Sequence, residues 1–143
     1  MTANPISPAP VPCCSLRPSL TKQPHRILVV DDDPTIRQFN TTVLIHFGYH
    51  VDSAEDGAAA WQALNIDSYD LLIADQNMPN MTGVELLKKL HVAQMALPVI
   101  MATGTFPREE FIRQPWLQPA ATLLKPYTAG DLLGAVKSIL HLS

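Results

Sequence analysis

The sequence predicts an α/β fold, a doubly wound five-stranded parallel sheet with helices on both faces. Two observations predict it. Short apolar runs alternate with segments of helical periodicity five times between Arg26 and Leu140. The runs are apolar without the alternation of a half-exposed strand, which is the pattern of strands covered on both faces. Right-handed crossovers then leave few topologies.

The first strand is the run Ile27-Leu28-Val29-Val30 after Arg26. Asp33 follows as an N-cap and Pro34 suits the first helical position. Ile36, Phe39, Val43, Leu44 and Phe47 recur at helical spacing, and Gly48 offers the C-terminal stop. The second strand is read from His50 to Ala54 and the second helix from Gly57 to Leu64. The third strand runs from Tyr69 to Ala74, and Val84, Leu86, Leu87 and Leu90 mark a helix beginning near Gly83. Leu97 to Ala102 gives the fourth strand. Arg108 to Arg113 can make about two helical turns before Pro115 interferes. Ala121 to Leu124 is the fifth strand, and Ala129 to Leu140 a closing amphipathic helix.

Composition excludes several classes of function. Apolar residues at 47% of 143 can bury a core, which argues against global disorder. A net charge of −3 argues against a protein built to grip nucleic-acid phosphates. No apolar run reaches the roughly 18 residues of a membrane span. Residues 1–25 read as a disordered tail or linker: Pro5, Pro8, Pro10, Pro12, Pro18 and Pro24 stop helix and strand alike. Its start lacks the basic residues of a secretory signal. Cys13 and Cys14 are adjacent and form no framework, so a reducing, cytoplasmic setting is expected. His25, His46, His50, His91 and His141 show no metal-ligand spacing.

The chemistry gathers at the carboxyl ends of the strands, where open parallel sheets bind ligands. Strand one ends in Asp31-Asp32-Asp33, strand three in Asp75, strand four in Thr103-Gly104 and strand five in Lys125-Pro126. Asp33 is accounted for as a helix cap. Two further carboxylates about 5 Å apart repel by roughly 3 kcal/mol at an effective dielectric of 20. A hard divalent cation relieves this, and Mg²⁺ with oxygen ligands fits best. Lys125 supplies a compact positive charge, an aspartate can attack phosphorus to give an acyl phosphate, and Thr103 can donate to a phosphoryl oxygen.

Three segments carry a resemblance. They are Ile27-Leu28-Val29-Val30-Asp31-Asp32-Asp33-Pro34, the run from Asp70 through Asp75-Gln76-Asn77-Met78-Pro79 to Gly83, and Leu124-Lys125-Pro126-Tyr127. Between Arg26 and His141 the chain resembles the receiver domains of two-component response regulators, the chemotaxis regulators among them. The resemblance implies a flavodoxin-like sheet of order 2-1-3-4-5 and a receiver domain over residues 26–143. It implies Asp75 as phosphoacceptor and Mg²⁺ held by Asp32, Asp31, Asp75 and the backbone carbonyl of Asn77. Thr103 becomes the switch hydroxyl, and Lys125 the phosphoryl contact before a cis bond to Pro126. It implies a histidine kinase or histidine phosphotransfer protein as donor, an output protein that the sequence does not name, and no enzymatic turnover beyond self-catalysed phosphotransfer and autodephosphorylation.

Two features depart from that family. Thr122 stands three residues before the lysine, where many receivers carry Tyr or Phe, so their aromatic swing does not carry over. The fourth helix is short and limited by proline. By the same resemblance, Asn77 and Thr105, two residues beyond Asp75 and Thr103, are expected to border the phosphoryl site and tune dephosphorylation. Other readings remain beside this one: a pseudo-receiver that binds partners without phosphorylation, or a receiver segment of a hybrid histidine kinase. No DNA-binding or enzymatic output domain is expected after the last helix. A phosphatase of the haloacid dehalogenase type is disfavoured, because Asn77 stands where its general-acid aspartate belongs. A dinucleotide enzyme lacks its glycine-rich loop, and Asp31-Asp32-Asp33 would repel a pyrophosphate.

Overall fold

The computed structural model describes residues 24–104 and 107–140. The tail through Gln23 with Cys13 and Cys14, and also Thr105 and His141, lie outside the described residues. Five strands, β1 (Arg26–Val30), β2 (His50–Ala54), β3 (Leu71–Ala74), β4 (Val99–Thr103) and β5 (Ala121–Leu124), alternate with five helices. These are α1 (Pro34–His46), α2 (Gly57–Ile66), α3 (Gly83–Val92), α4 (Arg108–Arg113) and α5 (Ala129–Leu140). The sheet order is β2-β1-β3-β4-β5, and every neighbouring pair is parallel.

Two apolar layers sandwich the sheet. Leu28, Val30, Leu72, Ala74 and Met101 face Ala60, Leu64, Leu86, Leu90 and Phe111 of α2, α3 and α4. Ile27, Val29, Ile73 and Ile100 face Leu44 of α1 and Leu132 and Val136 of α5. Successive residues of β1 therefore serve opposite layers, and this is why its run is unbroken by polar residues.

The helix ends follow local chemistry. The Asp33 side chain accepts from Thr35 N at 2.9 Å, with Pro34 opening α1. Gly48 ends that helix at φ +95°, a conformation that disfavours a side chain. Thr82 and Glu85 form a reciprocal capping box on α3.

Asp56 caps α2, accepting from Ala59 N at 2.8 Å and from Asn80 Nδ2 at 2.9 Å. These bonds, the one from Ala59 first, hold its carboxyl below the ordinary value. A lowered folded-state pKa contributes stability above the unfolded-state value, and that stability is lost as pH falls through the folded one. Asp56→Ala is expected to cost about 1 kcal/mol near neutral pH. In urea titrations the gap from wild type should shrink as the medium is acidified below the ordinary aspartate range. A gap independent of pH would contradict the role of the ionised cap.

Several expected boundaries shift. β3 starts at Leu71 rather than Tyr69, whose hydroxyl instead donates to Asp52 Oδ2 at 2.6 Å. β4 starts at Val99 rather than Leu97, since Pro98 has no N–H for the ladder, and it runs one residue further to include Thr103. The second helix continues two residues past Leu64, to Ile66. Phe39 and Phe47, placed on the helical apolar stripe, are exposed; the Phe39 ring lies 6.5 Å from that of Tyr127.

Candidate functional site

Sheet register brings the polar residues together. Val30 pairs with Ala74, so Asp31 and Asp75 emerge side by side one residue later. Thr103 pairs with Leu124, which delivers Lys125 next to the end of β4. The ladder continues one step into the site. Asp31 N donates to Ala54 O at 3.3 Å, Asp75 N to Val30 O at 3.2 Å, and Lys125 N to Thr103 O at 3.0 Å. Each of these three side chains therefore hangs from the last rung of a buried sheet.

Lys125 Nζ donates to Asp31 Oδ2 at 2.9 Å and to Asp75 Oδ2 at 3.1 Å. Asp31 and Asp75 are buried, at 1% and 5% exposure, whereas Asp32 is exposed at the mouth. One carboxylate oxygen from each of Asp31, Asp32 and Asp75 lies within 4.8 Å of the others. Three carboxylates against one ammonium leave negative charge in excess. All their ligand atoms are hard oxygens, and one of the three acids opens to solvent. That donor set fits a small divalent cation that keeps part of its water. Thr103 is fully buried as the last residue of β4.

Burial and pairing oppose each other here. Burial is the largest influence on Asp31 and pushes its carboxyl above the ordinary value, against the Asp33 N–H and Lys125 that favour the anion. Burial would lower Lys125, but hydrogen bonds to Asp31 and Asp75 and their negative charge outweigh it and hold the ammonium above its usual value. The lysine is therefore a fixed cation.

The loop after β3 is anchored from α3. Gly83 N donates to Gln76 O at 3.1 Å and Val84 N to Gln76 Oε1 at 2.8 Å. A Cβ on Gly83 would stand 2.7 Å from the Asp75 carbonyl oxygen and 3.1 Å from Gln76 Cα. Both obstacles are backbone, so no side chain can yield. Gly83→Ala is expected to destabilise the fold by about 1–3 kcal/mol in urea unfolding, as overpacking does. Unchanged stability would mean that α3 moves freely against Asp75. The Lys125–Pro126 bond is cis, as the resemblance implied.

Sequence reasoning missed three participants. Arg37 Nη1 donates to the Asp31 carbonyl at 2.7 Å, clamping the acid run from the first turns of α1. Gln76 ties the loop as described. Asn40 is 1% exposed, and its Oδ1 accepts from the Tyr127 hydroxyl at 2.8 Å, two residues past Lys125. A signal existed for Asn40: it sits between Ile36 and Leu44 on one helical stripe, and a buried amide requires a partner. Trp61 and Trp116 lie away from this edge, under Lys89 at 5.3 Å and against His91 at 4.3 Å respectively.

Fold and site together define a parallel α/β module with an acidic, lysine-bearing pocket on its carboxyl edge. The chain belongs to the response regulator receiver domain family, whose profile matches residues 27–137. It is 32% identical to the chemotaxis protein CheY of Pseudomonas aeruginosa, over 80% of this chain and 94% of that protein. It is 39% identical to the sensor protein EvgS of Escherichia coli over 80% of this chain, and the match spans only 10% of that much longer protein. Among solved structures it resembles the response regulator TrrA of Thermotoga maritima in complex with Mg²⁺-BeF, at TM-score 0.72 and 30% identity, covering 81% of this chain and 99% of that one. Among the described residues no helix is long and apolar enough to cross a membrane.

Proposed function

We propose that this chain is a phosphoacceptor: Asp75 takes a phosphoryl group in a Mg²⁺-dependent reaction, and the protein signals through altered binding to an output protein. The observation that carries this reading is Lys125 Nζ bridging Asp31 and Asp75 inside an acid cluster that spans less than 4.8 Å. A purely structural ion pair would need one carboxylate. Two buried acids and a third at the mouth carry more negative charge than Lys125 alone balances, and the surplus favours a further cation.

The donor is a histidine kinase or a histidine phosphotransfer protein. An Asp75 oxygen attacks phosphorus, the P–N bond to the donor imidazole breaks, and the imidazole departs with the electron pair. Lys125 neutralises a phosphoryl oxygen as the charge moves. Asp31, Asp32, Asp75 and the Asn77 carbonyl would hold a divalent cation, which supplies neutralisation of the other phosphoryl oxygens. The Mg²⁺-BeF complex of the Thermotoga relative supports that ligand class. The acyl phosphate brings about −2 charge and three acceptor oxygens, which Thr103 and Lys125 follow. Residues 26–143 form the receiver domain and residues 1–25 a tail or linker, in a cytoplasmic setting. No turnover occurs beyond self-catalysed phosphotransfer and autodephosphorylation.

A second reading, a receiver segment within a hybrid kinase, is favoured by the 39% identity to a sensor protein of which this chain matches a tenth. Both readings share the chemistry of Asp75. The test is an intact-mass spectrum after incubation with acetyl phosphate, with and without Mg²⁺. A gain of one phosphoryl group only with metal is expected. No gain under either condition would leave a pseudo-receiver and overturn the proposal.

A further inference from the structure

The contact between α3 and the residue after Asp75 is more elaborate than a helix start needs. Thr82 Oγ1 accepts from Glu85 N at 3.2 Å and Glu85 Oε1 accepts from Thr82 N at 2.8 Å, so α3 carries its own capping box. Gln76 adds two bonds from outside the helix. Its carbonyl accepts from Gly83 N and its carboxamide oxygen from Val84 N. Gly83 packs with no room for a Cβ against the Asp75 carbonyl. On the other side, Asp75 N is fixed to Val30 O of β1. Residues 75 and 76 are thus gripped between a central strand and a helix. Asn77, the next residue, donates its N–H to Asp75 Oδ1 at a long 3.4 Å.

We propose that Gln76 is a positioning residue for divalent-cation binding, its carboxamide clasping the amino end of α3 so that the run from Asp75 to Asn77 is held in its ligating pose. The inference rests on the Mg²⁺-dependent reading of the site. Gln76 touches neither cation nor phosphoryl group; it acts through the peptide it anchors. Groups that orient metal ligands in this way change metal affinity by about 10-fold or more when removed. The side chain is only half-buried, so its replacement opens no core cavity.

The test is calorimetric titration of Mg²⁺ into the metal-free full chain, with the metal-free unfolding midpoint measured in parallel. Gln76→Ala and Gln76→Met, which remove the acceptor with and without loss of length, are expected to bind Mg²⁺ about 10-fold more weakly. Gln76→Glu keeps an acceptor on the same stem and is expected to recover wild-type affinity or better. A purely structural role would lower the midpoint and leave the dissociation constant unchanged, which overturns the inference. So does wild-type affinity in Gln76→Met, or failure of Gln76→Glu to recover it. Wild-type protein that binds no Mg²⁺ overturns the underlying reading as well, and is distinguished by that control alone.

Discussion

Asp75→Asn is expected to abolish Mg²⁺-dependent labelling by acetyl phosphate, with no mass gain where the wild type gains one phosphoryl group. The substitution exchanges one oxygen for an amide nitrogen at nearly constant volume, and removes the anionic nucleophile. It also leaves the fold intact. Asp75 is 5% exposed and shares its neighbourhood with Asp31 and Asp32, so removing its charge relieves repulsion between buried like charges. Lys125 retains Asp31 at 2.9 Å and can still donate to the Asn carbonyl. Metal-free Asp75→Asn should therefore unfold at a denaturant concentration equal to or above that of wild type. Lost labelling with unchanged or raised stability assigns the loss to chemistry. Persistent labelling would move the acceptor elsewhere.

The same balance between burial and charge explains what the sequence disclosed and what it did not. The wholly apolar runs Ile27 to Val30 and Leu71 to Ala74 could be read as doubly covered strands because both layers demand apolar side chains at every position. Parallel pairing then put Asp31, Asp75 and Lys125 on one edge, and the structure brings all three into hydrogen-bond contact. Thr103 stands at that edge too, although it closes β4 rather than following it, because it still pairs with Leu124 of β5. Partners that act through backbone were invisible. Arg37 reaches a carbonyl and Gln76 receives an N–H, and neither leaves a residue-type signature at fixed spacing. Phe39 fits helical periodicity yet lies outside, because α1 needs only a narrow stripe against the sheet and Asn40 and Leu44 are its buried residues. The close approach of Gly83 to the Asp75 carbonyl is a tertiary fact that no local pattern carries.

Lys125→Met carries the second large effect, this time on stability. The ammonium is the cation shared by two buried carboxylates, at 2.9 and 3.1 Å. Methionine keeps the unbranched apolar stem, so the packing beside Pro126 and Tyr127 is largely preserved and charge is what changes. Removing one partner of a buried pair leaves an uncompensated charge and costs about 3–5 kcal/mol. Here the loss is doubled in kind, because Asp31 and Asp75 then face each other without a counter-ion. Metal-free Lys125→Met should therefore lose about 3 kcal/mol or more in urea titrations at neutral pH. Mg²⁺ should stabilise the variant more than it stabilises wild type, since the acids no longer have a resident cation, and a ligand at 100 times its dissociation constant adds about 2.7 kcal/mol. The gap between the two proteins then narrows as metal is added. Equal stability of the two metal-free proteins would mean that the lysine contributes no net pairing energy. A gap that Mg²⁺ leaves unchanged would mean that Lys125 and the cation do not compete for the carboxylates, and stabilisation of neither protein by Mg²⁺ would mean that the three acids do not hold it.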